Sequence, residues 1–396
     1  MPDLLSILTS LAWPFAVAVA WLAGEFGQRW TGFPRVSFYG LVGFILASGQ
    51  AGVLPVSSGG PVLVMADVAF GLMLFELGYR INLRWLRTNP WIGVTGLAEA
   101  GATFAAVYLV GLGFGNAHMT ALMLASLSMA TSPATVVRVI NEQRSSGQVT
   151  ERVMHLSALN CVLSVFFFNL VVGISLFRAS EDLADAALNS LAVLGMSALA
   201  GAVAGLVVPG VLRALGNLAQ DATVGFALAV ILLVAVAYTF RLSPVVAALA
   251  FGLTARHRRV AFAQAQRNFG ALGELLAVLL FVFAASTLDW RQVQAGGLLA
   301  IALIVVRLLT KTFGVTAFAH LSGISWRKGA LTGLGLAPLS VFVILMLEHA
   351  RQAGLQLAEA VRALAAVTLL LELFAPFILQ RALMWAHETP ERPHGA

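Results

Sequence analysis

The sequence predicts an all-α polytopic membrane protein with about thirteen transmembrane helices, built as two inverted repeats with broken, crossing helices. Three observations carry this reading. There are thirteen apolar runs, the basic residues between them fall mostly on one side, and two stretches about 207 residues apart look alike. Composition agrees. Of 396 residues, 59% are hydrophobic and 11% charged, against roughly 25% charged in soluble domains. So few charges cannot cover a soluble fold of this size. A soluble enzyme, a disordered chain and a nucleic-acid binder are excluded. The net charge of +6 and the pI near 10.2 need another explanation, and the placement of the arginines supplies it.

A membrane helix needs about 20 largely apolar residues. The first run, 4–24, follows a start without the positive segment of a signal peptide, so it reads as a first span. The second, 33–51, opens on Pro34 and is rich in glycine; the third, 62–80, holds Glu76, and the fourth, 89–113, holds Glu99. The fifth, 118–140, contains Thr131, Ser132 and Pro133 at its middle, and the sixth, 153–177, carries Asn160 and Cys161. The seventh, 186–209, is an uncharged linker, followed by 222–240 and a short ninth run, 243–256. The tenth, 269–288, holds Glu274, and the eleventh, 293–318, holds Arg307 and Lys311. The twelfth, 327–348, contains Gly333, Gly335, Pro338 and Ser340, and the thirteenth, 358–381, contains Glu372. The membrane domain is therefore 1–385. Repeat one covers about 1–180, the linker helix 186–209 and repeat two about 220–385, with a short polar tail, 386–396, after it.

Sorting the loops by parity places seventeen basic residues on one side and five on the other, with Arg307 and Lys311 inside the eleventh run. By the positive-inside rule the seventeen face the cytoplasm. The N-terminus is then outside and the C-terminal tail cytoplasmic, in a multi-pass protein of the plasma membrane (the inner membrane of a bacterium). The lone cysteine, Cys161, permits no intrachain disulfide and no cysteine zinc site. No cofactor is expected.

The repeat is visible in MADVAFGLMLFELGYRINLRWL, from Met65, and LGELLAVLLFVFAASTLDWRQV, from Leu272. Asp67 matches Glu274 and Asn82 matches Asp289; in the fifth and twelfth runs Ser132-Pro133 matches Ala337-Pro338. The matching runs enter the membrane from opposite sides, which is the signature of many secondary transporters. Proline removes an amide donor. Thr131-Ser132-Pro133 and the Gly333, Gly335, Pro338, Ser340 group therefore predict two broken helices at matching positions, a pointer to a midplane site.

Charges inside spans are costly and are functional candidates. Lys311 stands out as one of only two lysines; Arg307 lies one turn earlier, and either can be the structural partner of the other. Among the carboxylates, Glu76 and Glu372 are the first candidates for carrying protons, with structural ion pairing as the alternative for each. Glu99 can neutralise Arg307 or Lys311, and Glu274 can simply reach the interface. Taken alone, Asn160 and Cys161 are unremarkable core residues.

Together these residues resemble the cation:proton antiporter superfamily, in particular its Kef-like sodium/hydrogen exchanger branch. The resemblance rests on FPRVSFYGLVGFILASGQAGVLP, LMLFELGYRINLRWL, Thr131-Ser132-Pro133, Lys311-Thr312-Phe313-Gly314 and GALTGLGLAPLS, in this order. It implies a transmembrane exchanger domain over nearly the whole chain. A core from spans 3–5 and 10–12, with span 6 packed among them, would move against a dimerisation domain in a homodimer within the lipid bilayer. It also implies an aspartate as the second residue of a pair in span 6. Here the matching pair is Asn160-Cys161, and a neutral thiol is a poor ligand for Na⁺ or K⁺, which prefer oxygen.

The function expected is exchange of a monovalent cation, Na⁺ or K⁺, for protons by alternating access, at an atypical ion site. No metal beyond the transported cation is expected. Thr131, Ser132, Asn160 and carbonyls at the breaks near Pro133 and Pro338 would bind the ion; Glu76 or Glu372 would replace the missing acid. Two alternatives remain. With Lys311 and Arg307 retained, the same fold would suit an anion or organic acid, since half-helix N-termini add positive charge. A non-transporting sensor or assembly protein would show no flux. No catalytic spacing of Ser, His and Asp and no metal-ligand cluster points to an enzyme.

Overall fold

The computed structural model describes residues 4–55, 61–176, 183–214, 218–257, 263–339, 343–347 and 358–390. Among them there is no strand. The helices are α1 (Leu4–Thr31), α2 (Arg35–Leu46), α3 (Pro61–Arg80), α4 (Leu83–Thr88), α5 (Trp91–Gly113), α6 (His118–Ser128), α7 (Pro133–Gln143) and α8 (Gln148–Leu176). There follow α9 (Leu183–Ala214), α10 (Leu218–Thr239), α11 (Pro244–His257), α12 (Ala263–Ser286), α13 (Trp290–Ala295), α14 (Gly297–Ala317), α15 (Trp326–Gly335) and α16 (Ala358–Trp385). Residues 343–347 form a helical piece between the last two.

Counting α6 with α7, and α15 with 343–347, as broken spans, and setting aside the short α4 and α13, gives thirteen crossings. Seven described segments are each long and apolar enough to cross a membrane, and four shorter helices are apolar. The short ninth run is a helix of 14 residues, and it sits in close contact with α9 and α3. Outward faces are apolar too. On α9, Leu188, Leu191, Met196, Leu199 and Val203 are all exposed, as a lipid-facing helix requires.

The two repeats are legible in three dimensions. Helices α4 and α13 begin at Leu83 and Trp290 and end at Thr88 and Ala295, so each boundary is displaced by the same 207 residues. Their caps match as well. Asn82 Oδ1 accepts from the amides of Arg84 and Trp85, and Asp289 Oδ1 accepts from the amide of Arg291, satisfying donors that a helix start leaves open. The matched pair Asn82 and Asp289 is thus one cap used twice. Close packing repeats in the same way. A Cβ on Gly43 (α2) would run into the backbone of Val282 (α12), and a Cβ on Gly252 (α11) into the backbone of Phe75 (α3). Helices approach this closely in membranes through small residues. Gly252→Leu is expected to cost about 3 kcal/mol, because only backbone stands in the way. A symmetric, wild-type elution profile of that variant in detergent would contradict this packing.

The helices sort into two bundles by their contacts. One holds α5, α6, α7, α8, α14, α15 and α16; the other holds α1, α2, α3, α9, α10, α11 and α12. The core that contains the broken helices is thus made of spans 4–6 and 11–13. This corrects the expectation of spans 3–5 and 10–12: α3 and α12 pack with α11 and α2 in the other bundle. The reason is physical. Gly43, Gly78 and Gly252 open close seats for α2, α3, α11 and α12 against one another, and a side chain at any of them would close it.

Candidate functional site

The site is built where the two broken spans cross. Helix α6 stops at Ser128, and α7 restarts at Pro133, the first helical position, where a missing amide hydrogen costs nothing. Ser132 caps it, its Oγ accepting from Thr135 N (3.3 Å) and Thr135 Oγ1 (3.0 Å). Helix α15 stops at Gly335, and 336–339 run on without helical structure. The two extended stretches lie against each other. Ser132 N donates to Pro338 O (2.8 Å) and Thr131 Oγ1 to Leu336 O (3.3 Å). Nearby, the Thr103 and Thr310 hydroxyls meet at 3.1 Å. These pairs are separated in sequence by 205 to 207 residues. Residues related by the repeat approach each other only at the axis relating the halves, so the crossing lies on that axis.

Breaking two helices leaves carbonyls without donors. Arg307 on α14 takes five of them. Its Nε donates to Ser128 O (3.0 Å), and its terminal nitrogens donate to Ala130 O (2.6 Å), Leu336 O (3.2 Å), Pro338 O (3.3 Å) and Ala337 O. The planar fork of arginine suits this task and a lysine would not. One turn on, Lys311 Nζ donates to Met129 O at 3.0 Å and to both oxygens of Glu99 at 3.1 and 3.3 Å. Glu99 comes from α5, which lies close because Gly314 of α14 has no side chain there; a Cβ would strike Glu99 Cα and Cβ.

Asn160 of α8 completes the group. Its Nδ2 donates to Glu99 Oε1 (2.6 Å) and to Thr131 Oγ1 (3.2 Å). Its Oδ1 is fully buried and has no hydrogen-bond partner among the described residues. Cys161 turns away from Glu99, its thiol donating to Thr131 O at 3.2 Å. Glu99, Lys311, Asn160 and Thr131 are all at 0% exposure and Arg307 at 1%. The centre therefore holds two basic groups and one carboxylate, shielded from water, where a broken charge pair is far more costly than at a surface.

The structure thus brings together Thr131, Ser132, Pro133, Asn160, Cys161, Arg307, Lys311, Pro338 and Glu99. Ser340 lies outside the described residues. Three other candidates lie elsewhere. Glu76 is held by Arg80 (2.9 Å), Asn141 Nδ2 (3.0 Å) and Arg138 (3.6 Å), where α3 meets α7. Glu274 pairs with Arg35 (2.7 Å), which also meets Glu25 (3.1 Å). Glu372, on α16, faces Gly40 of α2, and its oxygens have no hydrogen-bond partner among the described residues. The carbonyls at the breaks, expected to bind an ion, are instead spent on Arg307, Lys311 and the Cys161 thiol.

Sequence reasoning missed Glu388. Its carboxylate accepts from the amides of Val149 and Thr150 and from Thr150 Oγ1, each at 2.8 Å, and so caps α8, the helix of Asn160. The partners lie 238 and 239 residues away, so no local pattern marks it. Also missed was a cavity of about 340 Å³ between α8 and α11, lined by Ala158, Leu159 and Val162 on one side and Val246, Leu249 and Leu253 on the other, with His155 at its wall. It flanks Asn160 and Cys161 along the same helix.

Similarity to known proteins agrees with the geometry. The chain is similar in structure to the sodium proton antiporter MjNhaP1 from Methanocaldococcus jannaschii at pH 8, with TM-score 0.76, 14% identity, and 97% of this chain and 99% of that one covered. A second structure of MjNhaP1, from an electron-microscopy map, gives TM-score 0.70 and 15% identity over 98% and 97% of the two chains. At such identity the likeness shows the fold. Among the curated proteins none matches. The sequence pattern of the family described as "Sodium/hydrogen exchanger, transmembrane" matches residues 15–385. The chain belongs to the sodium/hydrogen exchanger family of multi-pass membrane antiporters.

Proposed function

We propose that this protein exchanges Na⁺ or K⁺ for a proton at the Glu99–Lys311 pair, with Asn160 and Thr131 as neutral ligands. One observation carries the reading: a fully buried carboxylate bound to a lysine, beside an amide oxygen, Asn160 Oδ1, that has no donor among the described residues. A cation placed between them finds oxygen from Glu99 and Asn160, the ligand type that hard cations prefer. Of the two basic groups, Arg307 is committed to carbonyls and does not lose its proton in a useful range, whereas a buried lysine can. Lys311 gives up its proton as the cation takes its place beside Glu99. The charge of the centre is then the same in both loaded states.

Glu99 thus stands in for the acid that the family resemblance places at Cys161. The anion reading is weaker, because neither basic group is free: five carbonyls hold Arg307 and Glu99 holds Lys311. Alternating access follows if the bundle carrying the crossing slides against the other. The cavity beside α8 would then be the approach from the cytoplasm, with the N-terminus outside, in a plasma-membrane homodimer.

Cys161 tests the assignment. Its thiol faces a carbonyl and not the carboxylate, so Cys161→Ser is expected to keep exchange within about twofold of wild type, a serine hydroxyl making the same bond. The measurement is proton flux into proteoliposomes on addition of Na⁺, K⁺ or Li⁺. Loss of exchange in Cys161→Ser, with the protein still folded, would return the ion to position 161.

A further inference from the structure

Of the buried carboxylate candidates outside the exchange site, Glu76 is held by Arg80, Arg138 and Asn141, whereas Glu372 has no ion-pair partner among the described residues. It is 2% exposed, and neither of its oxygens has a hydrogen-bond partner among the described residues. One turn before it, the buried Thr368 hydroxyl is also without a partner among the described residues. One turn after it stands Pro376, which has no amide hydrogen to donate to the Glu372 carbonyl. Among the described residues, the Glu372 oxygens and its backbone carbonyl thus gather as acceptors, with the Thr368 hydroxyl, which can donate or accept, one turn away.

Among the described residues, the surroundings supply no counter-charge. Helix α16 touches α2, α6, α7, α13, α14 and α15. Arg307 and Lys311 of α14 point into the crossing. Arg138 of α7 faces Glu76, and Arg35 of α2 faces Glu25 and Glu274. Arg327 and Lys328 of α15 are bound to Trp385 O and Gln148, and Arg291 of α13 is exposed. His118 of α6 is bound to Tyr108, and Tyr39 of α2 lies against Gly24. An ionised carboxylate left unpaired in such a place is prohibitively costly, and the group takes up a proton instead.

Its position is as telling as its isolation. Glu372 lies on the bundle that holds the exchange site and presses on Gly40 of the other bundle, whose missing side chain leaves it room; a Cβ there would come within 3.0 Å of Glu372 Cγ. The neighbouring Ser37 hydroxyl donates to Leu373 O at 2.8 Å, which marks this as a contact between bundles. If one bundle slides on the other, this contact must change.

We propose that Glu372 is a second proton-carrying residue, separate from Glu99–Lys311, that takes a proton from water on one side of the membrane and returns it to water on the other. This rests on the antiport reading above. Only an O–H bond forms and breaks, and the proton passes between water and a Glu372 oxygen. The Glu99–Lys311 pair trades one proton for one cation without moving net charge. A proton on Glu372 makes the cycle electrogenic.

The experiment compares wild type with Glu372→Gln in proteoliposomes under an imposed potassium-diffusion potential, using Na⁺ as the exchanged ion. Wild type should respond to the potential. Glu372→Gln should still exchange, at one proton fewer per cation, and lose the response, while Glu372→Asp, which keeps the acid, retains it. Equal stoichiometry and voltage response in wild type and Glu372→Gln would overturn the proposal. Absence of exchange in wild type would instead defeat the antiport reading. Infrared difference spectra then decide about Glu372 alone. A protonated-carboxyl band that titrates and is missing from Glu372→Gln supports proton carriage; a spectrum unchanged by the substitution overturns it. If Glu372→Gln fails to fold, the wild-type and Glu372→Asp spectra carry the test: a titrating band shifted by the substitution supports it, and none overturns it.

Discussion

Glu99→Gln is expected to bring exchange down to the background of empty liposomes and to destabilise the protein at the same time. It removes the carboxylate that binds the cation, and it leaves the Lys311 ammonium buried without its counter-ion. Breaking one side of a buried pair costs about 3–5 kcal/mol. Lys311→Met should behave in the same way, stranding Glu99. Combining the two removes both charges, and the double variant is expected to recover most of the lost stability and none of the exchange. That pattern separates a working pair from a merely structural one. Stability is read by thermal unfolding in detergent and exchange by proton flux. A double variant that exchanges like wild type would show that the pair only holds α5 against α14.

Arg307→Met is expected to have the largest effect on folding. Three buried carbonyls, those of Ser128, Ala130 and Ala337, lose their donor together, and Leu336 O and Pro338 O are left with Thr131 Oγ1 and Ser132 N alone. Each unsatisfied group costs about 1–3 kcal/mol, so the sum rivals the whole stability of an ordinary domain, about 5–15 kcal/mol. The variant should not accumulate as a folded species. Arg307→Lys should be intermediate, because an ammonium has three donors and cannot fork across two strands. Size-exclusion profiles after extraction give the answer. A monodisperse Arg307→Met protein with normal exchange would mean that the crossing is held by something other than this side chain.

The two residues lie one helical turn apart, and their sequence context did not say which was structural. The structure separates them by partner: Arg307 has only carbonyls, and Lys311 has a carboxylate as well. Glu99 illustrates the same limit. Apolar runs and charge scarcity place it at membrane depth, but they do not give the direction in which it points or its partner 212 residues away. Glu76 looks equally central in sequence and proves to be tied to Arg80, Arg138 and Asn141. Two of these partners, Arg138 and Asn141, come from α7, a half-helix whose position depends on the break at Ser132-Pro133.

What was legible was what depends on local chemistry. Span positions follow from hydropathy, and the break at Pro133 follows from its missing amide. The repeat shows in matched caps such as Asn82 and Asp289. Bundle membership was not legible, because spans of similar hydropathy carry no label for their neighbour. The glycines that decide it, Gly43 and Gly252 among them, act only through what stands opposite. Glu388 capping α8 is a further case of a long-range partner without a local sign.

These residues combine into a single account, in which a cation competes with the Lys311 proton for Glu99. Purified protein in liposomes, with internal pH followed as Na⁺, K⁺ and Li⁺ are added in turn, tests it most directly when wild type is run beside Glu99→Gln. The account predicts saturable proton movement in wild type with at least one of these ions and none in Glu99→Gln. Proton movement of wild-type size in Glu99→Gln, or none in wild type with any of the three ions, would contradict it.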